Sequence, residues 1–207
     1  GIQTCALPIS EPFHATADQV LGLHLVEIPD SPGVAALWQE LRPDGTVAHG
    51  YAISLDGRTF ARARETDYQL ELRYAVFDPT AGTPYVTPAL RAAAKSELYI
   101  VQFVTPPLEA YRQALHERGA TGWTFLPNHA CVVKMSPAVR EAVAQLPFVR
   151  WVGPVQPAYK IEEEILAQLQ SGQQVAPRRY SIMLYERGAA AQTRVSHAAL
   201  GVWEPAD

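Results

Sequence analysis

The spacing of hydrophobic and polar positions changes character along the chain. Residues 21–28 are apolar with Gly22, His24 and Glu27 interspersed, which predicts a strand. Pro29-Asp30-Ser31-Pro32-Gly33 is a turn cluster. Residues 35–41, around Trp38, predict a short strand or a helical turn. Pro43-Asp44-Gly45 and Leu55-Asp56-Gly57 are hairpin signals, because Asp-Gly supplies the positive φ that a type I′ turn needs. Residues 46–54 lie between them, and 58–63 follow the second. In residues 68–77, Tyr68, Leu70, Leu72, Tyr74 and Val76 alternate with Gln69, Glu71 and Arg73. That period of two predicts one half-buried strand. Residues 20–78 therefore read as a small β-rich segment, and 79–96, with Pro79, Gly82, Pro84 and Pro88 before an alanine-rich turn or short helix, as a linker.

Residues 97–160 are the most legible part of the chain. Residues 97–104 are apolar on both faces and predict a strand. Thr105-Pro106-Pro107 predicts a helix start, since Thr can cap and Pro fits the first turn, where no intrahelical bond is lost. Leu108, Tyr111, Ala114 and Leu115 fall on one helical face, and Gly119 is the stop. Two strands follow, at 120–126 and 130–135, joined by a turn at Pro127-Asn128. Ser136-Pro137 opens a second helix with a stripe of Val139, Ala142, Val143 and Leu146, which Pro147 ends. Residues 148–152 make a fourth strand. The order β-α-β-β-α-β is the ferredoxin-like arrangement, with both helices on one face of a four-stranded antiparallel sheet. The other face then needs cover or polarity.

Residues 161–178 read as a helical linker led by Glu162, Glu163 and Glu164. Residues 179–207 read as a strand at 179–185 and a helix at 189–200. An offset of 82 pairs Ile100 with Ile182, Phe103 with Tyr185 and Gly119 with Gly201, as expected of a second ferredoxin-like module cut short. The predicted class is α+β: one βαββαβ module, a β-rich lead-in and a partial repeat.

Composition narrows the function classes. The chain has 207 residues, 48% of them hydrophobic and 18% charged, which is a globular composition. No apolar run reaches the ~18 residues of a membrane helix, so no spanning segment is expected. A net charge of −4 and a pI near 5.9 leave no basic footprint for nucleic acid. Residues 1–9 resemble the in-frame translation of a sequencing adapter and are set apart from the fold. Cys5 falls within them and is not paired with Cys131. The chain is thus expected to be part of a longer record whose own N-terminus lies elsewhere.

Candidate chemistry is sparse. The sequence contains no Gly-x-Ser-x-Gly elbow, Walker A loop, Gly-x-Gly-x-x-Gly or His-Glu-x-x-His. His116-Glu117 begins the last pattern without its second His, and reads as a solvated helix end. The six histidines, at 14, 24, 49, 116, 129 and 197, have no metal-ligand spacing. Cys131 reads as a buried small hydrophobe, Glu162-Glu163-Glu164 as a solvated face, and Arg178-Arg179 as a plain linker. An acylphosphatase loop would fall at 103–108, where Thr105-Pro106-Pro107 offers neither the N–H cradle nor the arginine for phosphate. No catalytic, cofactor-binding or metal-ligating residue is assigned, and no cofactor is expected.

Several stretches do resemble a known family. They are Leu98-Tyr99-Ile100-Val101-Gln102-Phe103, Gly119-Ala120, Phe125-Leu126-Pro127-Asn128-His129-Ala130, Ser136-Pro137 and the block 146–159, which runs from Leu146-Pro147-Phe148-Val149-Arg150-Trp151 to Tyr159. Together they resemble the propeptide-like N-terminal region of bacterial subtilisin-like serine proteases. Residues 51–79 are similar to the segment that precedes this module in large secreted members. The resemblance implies a pro-region that packs its open sheet face on a catalytic domain in cis, assists its folding and can block its cleft. It also implies a secreted or cell-surface location. The triad motifs of that family are not in the sequence: Asp30-Ser31 runs into Pro32, His49-Gly50 into Tyr51, and no Gly-Thr-Ser occurs. The chain itself is therefore expected to lack protease activity. The alternative is a ferredoxin-like interaction or ligand-sensing module unrelated to proteolysis, since the fold is widely reused.

Overall fold

A computed structural model describes residues 19–171 and Tyr185. The adapter-like residues 1–9, His14, His197, Arg178-Arg179 and, Tyr185 apart, the second module at 179–207 lie outside the described residues. The chain divides into two units, Gly1–Ala167 and Gln168–Asp207. The architecture below is that of the first.

The N-terminal signals build an antiparallel meander of β1 (Gln19–Glu27), β2 (Val34–Leu41), β3 (Val47–Ser54) and β4 (Arg64–Thr66), in chain order. Residues around Trp38 form a strand and no helical turn, because β2 is paired along both edges. The turn at Pro43-Asp44-Gly45 differs from the type I′ expectation. Only Gly45 has positive φ, and Arg42 N–H bonds Thr46 C=O across three residues. The Asp44 carboxylate accepts from Thr46 N–H and hydroxyl, which stabilises this longer loop. At the second signal, Asp56 Oδ1 accepts from the N–H groups of Arg58 and Thr59, both at 2.8 Å. Those donors are therefore engaged locally, and strand pairing resumes only at Arg64. The β3 glycine Gly50 lies beneath the Trp38 indole, where a Cβ would stand 2.3 Å from the ring.

The alternation at 68–77 does not produce one strand. The chain reverses after Leu72, whose N–H bonds Ala75 C=O, and makes a small hairpin of β5 (Leu70–Glu71) and β6 (Val76–Phe77). Reversal brings Leu70, Leu72 and Phe77 into one apolar cluster, burial that a straight strand would forgo.

The next six elements are β7 (Leu98–Phe103), α1 (Glu109–Glu117), β8 (Thr121–Leu126), β9 (Ala130–Lys134), α2 (Pro137–Ala144) and β10 (Val149–Pro154). The four strands form an antiparallel sheet in the order β10-β7-β9-β8. With the meander, this makes the protein α+β. Ser136 caps α2 by accepting from Val139 N–H, with Pro137 in its first turn. Thr105 does not cap α1. Leu108 occupies that position, and Thr105 is buried with its hydroxyl 3.3 Å from Tyr111 Oη. Gly119 ends α1 at φ 96° in a Schellman arrangement, its N–H on His116 C=O and Ala120 N–H on Leu115 C=O.

Both helices cover the same face of this sheet. Tyr111, Ala114, Leu115 and Val143 pack with Tyr99, Val101, Phe103, Cys131 and Val133, and Val26, Ile28 and Ala35 of the N-terminal segment join them. Ala142, in the predicted α2 stripe, is exposed instead. Phe103 stacks on Tyr111, Trp123 and Phe148, and Tyr111 lies 4.4 Å from Phe148 with rings nearly parallel. The opposite face carries Leu98, Ile100, Val132 and Trp151. It is covered by the same chain, through Leu70, Leu72 and Phe77 before it and Val155 and Tyr159 after it. Beyond β10 a 3₁₀ turn, Pro157–Lys160, leads into α3 (Glu163–Ser171). Arg73 pairs with Glu162 just ahead of that helix. Among the described residues, no helix is long and apolar enough to cross a membrane.

Candidate functional site

The densest polar arrangement is assembled from residues far apart in sequence. Its centre is Arg150. In β10, Val149 pairs with Phe103 and Trp151 with Gln102, so Arg150 is the extra residue of a β-bulge. A bulge re-aims a side chain, and here the guanidinium turns to the carboxylate of Asp78, which follows β6. Nη1 donates to Asp78 Oδ1 at 2.7 Å and Nη2 to Oδ2 at 2.8 Å, a two-toothed fork. Nη1 also donates to Gln102 Oε1 and Nη2 to Thr80 Oγ1, both at 2.7 Å. The guanidinium lies over the Tyr68 ring, 4.2 Å from its centroid.

Each partner is held in turn. Gln102, fully buried in β7, donates through Nε2 to the carbonyls of Tyr68 and Asn128. Tyr68 has φ 55°, and its hydroxyl donates to Val104 C=O at 2.7 Å. Burial pushes its phenol up to about 12. The Arg150 and Asp78 side chains are 14% and 20% exposed, so this ion pair is largely shielded from water. Burial alone would raise the Asp78 pKa, but hydrogen bonds from Arg150 and Thr80 outweigh it and hold the carboxyl at about 2.

Two histidines close the arrangement. His129 sits in the three-residue turn between β8 and β9, where Asn128 and His129 both take positive φ. The Asn128 amide donates to Gln69 C=O at 2.7 Å and to Asp67 Oδ1 at 3.2 Å, tying this turn to the segment before β5. The His129 ring meets Tyr51 and Tyr68 edge-on, at 5.1 and 5.6 Å. His49, in β3, meets Tyr68 edge-on at 5.2 Å. Burial lowers the His129 pKa to about 4, and burial followed by the charge of Arg150 lowers that of His49. Nδ1 of His129 is buried and has no hydrogen-bond partner among the described residues.

Chemically this is a clamp. The four Nη hydrogen bonds of Arg150 end on protein acceptors, and the neighbouring imidazole is neutral at pH 7. The cluster ties β3, β6, β7, β10 and the β8–β9 turn together. A second feature is a groove of about 300 Å³ lined by Tyr85, Trp151 and Tyr159, with Arg91 over the Tyr85 ring. Its polar groups also serve the chain: Arg91 Nε donates to Val86 C=O, and Gln156 Oε1 accepts from Ala92 N–H.

Of the described residues weighed from sequence, His49 and His129 join the cluster and the others lie elsewhere. Cys131 is buried on the helix-covered sheet face, and burial pushes its thiol up. His24 and His116 are exposed. Among the described residues, no group of three or more His, Cys, Asp or Glu is placed to hold a metal ion. Sequence reading did not single out Arg150, Asp78, Gln102 or Tyr68. One signal was present: Gln102 and Arg150 are the polar interruptions of two otherwise apolar strands.

No curated protein and no solved structure matches the chain. Residues 71–156, which include Asp78, Gln102, Asn128, His129 and Arg150 but not His49, Tyr51 or Tyr68, are similar to a family described as Domain of unknown function (DUF8729).

Proposed function

We propose that residues 97–160 form a ferredoxin-like module and that the chain is the non-catalytic pro-region of a secreted or cell-surface subtilisin-like serine endopeptidase, assisting the folding of that catalytic domain. The observation that carries this reading is the strand order β10-β7-β9-β8 with both helices on one face, at the residues whose sequence resembles such pro-regions. The run of the chain beyond β10 favours assistance over cleft blocking. The segment after β10 continues into α3, whereas the sheet face opposite the helices, which the resemblance would pack on the catalytic domain, is covered instead by Leu70, Leu72, Phe77, Val155 and Tyr159 of the same chain. A blocking tail ends free in the cleft, in the manner of a product.

That same covered face favours a second reading, an interaction module unconnected with proteolysis. The gene separates the two. The first reading expects a His-Gly-Thr and a Gly-Thr-Ser-Met-Ala in the reading frame beyond Asp207. A stop codon soon after Asp207, with neither motif, contradicts it and favours the second.

A further inference from the structure

The two histidines of the clamp stand where the meander β1–β4 meets the β8–β9 turn. His49 and Tyr51 project from β3, His129 from the turn, and Tyr68 lies between them as a common packing surface. Among the described residues, the charged and titratable groups facing the two imidazoles are few. Tyr51 comes from β3, Asp67 and Tyr68 from the segment before β5, Asp78 from after β6, and Arg150 from β10. Glu71 of β5 reaches the Asn128 amide beside His129, and Arg64 of β4 acts on Tyr51. The single full positive charge at the centre, Arg150, has both oxygens of Asp78 engaged in its fork. Asp67 is partly occupied by the Asn128 amide. A proton on either imidazole therefore adds positive charge near Arg150 at a half-buried position, opposed at His129 by the charge of Asp67, one of whose oxygens is engaged by Asn128. Nδ1 of His129, which would carry an N–H in the imidazolium, has no acceptor there.

We propose that this seam is an acid-opened joint: protonation of His129, with His49 beside it, breaks the edge-on packing around Tyr68 and releases β3 from the β8–β9 turn.

The direction follows from linkage. Both rings are neutral when the seam is closed, and each regains an ordinary pKa near ~6.5 when it opens. The open form then binds more protons, so opening is favoured as pH falls below ~6.5, by up to about tenfold per pH unit for one histidine. For His129 this continues to about 4 and then levels off. Asp78 acts in a different window. Its folded value of about 2 makes its contribution complete above the ordinary carboxylate range and lost only as pH falls from there through about 2. Opening between pH 6.5 and 4.5 therefore belongs to the histidines.

The test is amide hydrogen exchange on the whole chain at pH 6.5 and 4.5, with rates corrected for intrinsic exchange. Protection in β3 and around Tyr68 and Leu70 is expected to fall between about 10- and 100-fold, while that of α1 and α2 holds. In the double variant His129→Asn and His49→Phe, the fall is expected to disappear. Asn tolerates the left-handed backbone at 129, and Phe keeps a ring against Tyr68. Unchanged protection in the unmodified chain overturns the proposal. So does an equal fall in the variant. Should the variant fail to fold, the unmodified chain still decides by NMR: the proposal requires His129 to titrate well below 6.5, in step with the loss of protection, and titration near 6.5 with protection intact overturns it.

Discussion

Replacing Arg150 by Met is expected to destabilise the first unit by about 3–5 kcal/mol, the cost of removing one partner of a shielded ion pair. Met keeps the aliphatic stem of the side chain but supplies no donor and loses the guanidinium that lies over the Tyr68 ring. Among the described residues, Asp78 is left with Thr80, which bonds it through N–H and hydroxyl at 2.9 Å. The fully buried Gln102 loses the donor to its Oε1. An orphaned buried acceptor is worth ~1–3 kcal/mol, and that loss is included in the larger figure, since the groups form one network. Urea unfolding measures it. Asp78→Leu alone is expected to cost a similar amount, and the double variant clearly less than the two losses added, because no charge is then left unpaired. A loss below ~1 kcal/mol for Arg150→Met would show that the fork behaves as an exposed ion pair.

The second large effect is expected at Phe103→Ala, about 4 kcal/mol. Phe103 is fully buried and touches three aromatic rings, those of Tyr111, Trp123 and Phe148. These come from α1, β8 and the residue before β10, so the ring ties the helix and the far strand β8, which do not pair with β7, to the β7–β10 edge. Its removal leaves a cavity that the stacked Tyr111 and Phe148 rings cannot close without abandoning their 4.4 Å contact. Phe103→Leu, which retains most of the volume, is expected to cost under half as much. Equal losses for Ala and Leu would mean that ring stacking, and not filled volume, dominates this core.

These two sites differ in how far the sequence announces them. Phe103 lies in an apolar run, and Tyr111, Ala114 and Leu115 share a helical face, so that core is legible from spacing alone. Gly119 and Ser136-Pro137 mark helix ends through local backbone chemistry, and the structure uses them so. Thr105 misleads because Pro106 and Pro107 delay the helix to Glu109, leaving its hydroxyl to Tyr111. The alternation of 68–77 misleads because a period of two is shared by a long strand and by a tight hairpin whose ends bury the same residues. Only the sheet beneath decides between them. The clamp is hardest to read. Arg150 meets Asp78 across 72 residues and Gln102 meets Tyr68 across 34, so no local spacing records either contact. A lone Gln and a lone Arg within apolar strands are the trace it leaves.

The pro-region reading is tested most directly by refolding. The subtilisin-like catalytic domain that this reading expects in the reading frame beyond Asp207 is unfolded in guanidinium and diluted into buffer with and without this chain, and serine-inhibitor-sensitive peptide hydrolysis is followed. Activity recovered only when the chain is present is the predicted result; equal recovery in its absence contradicts the reading.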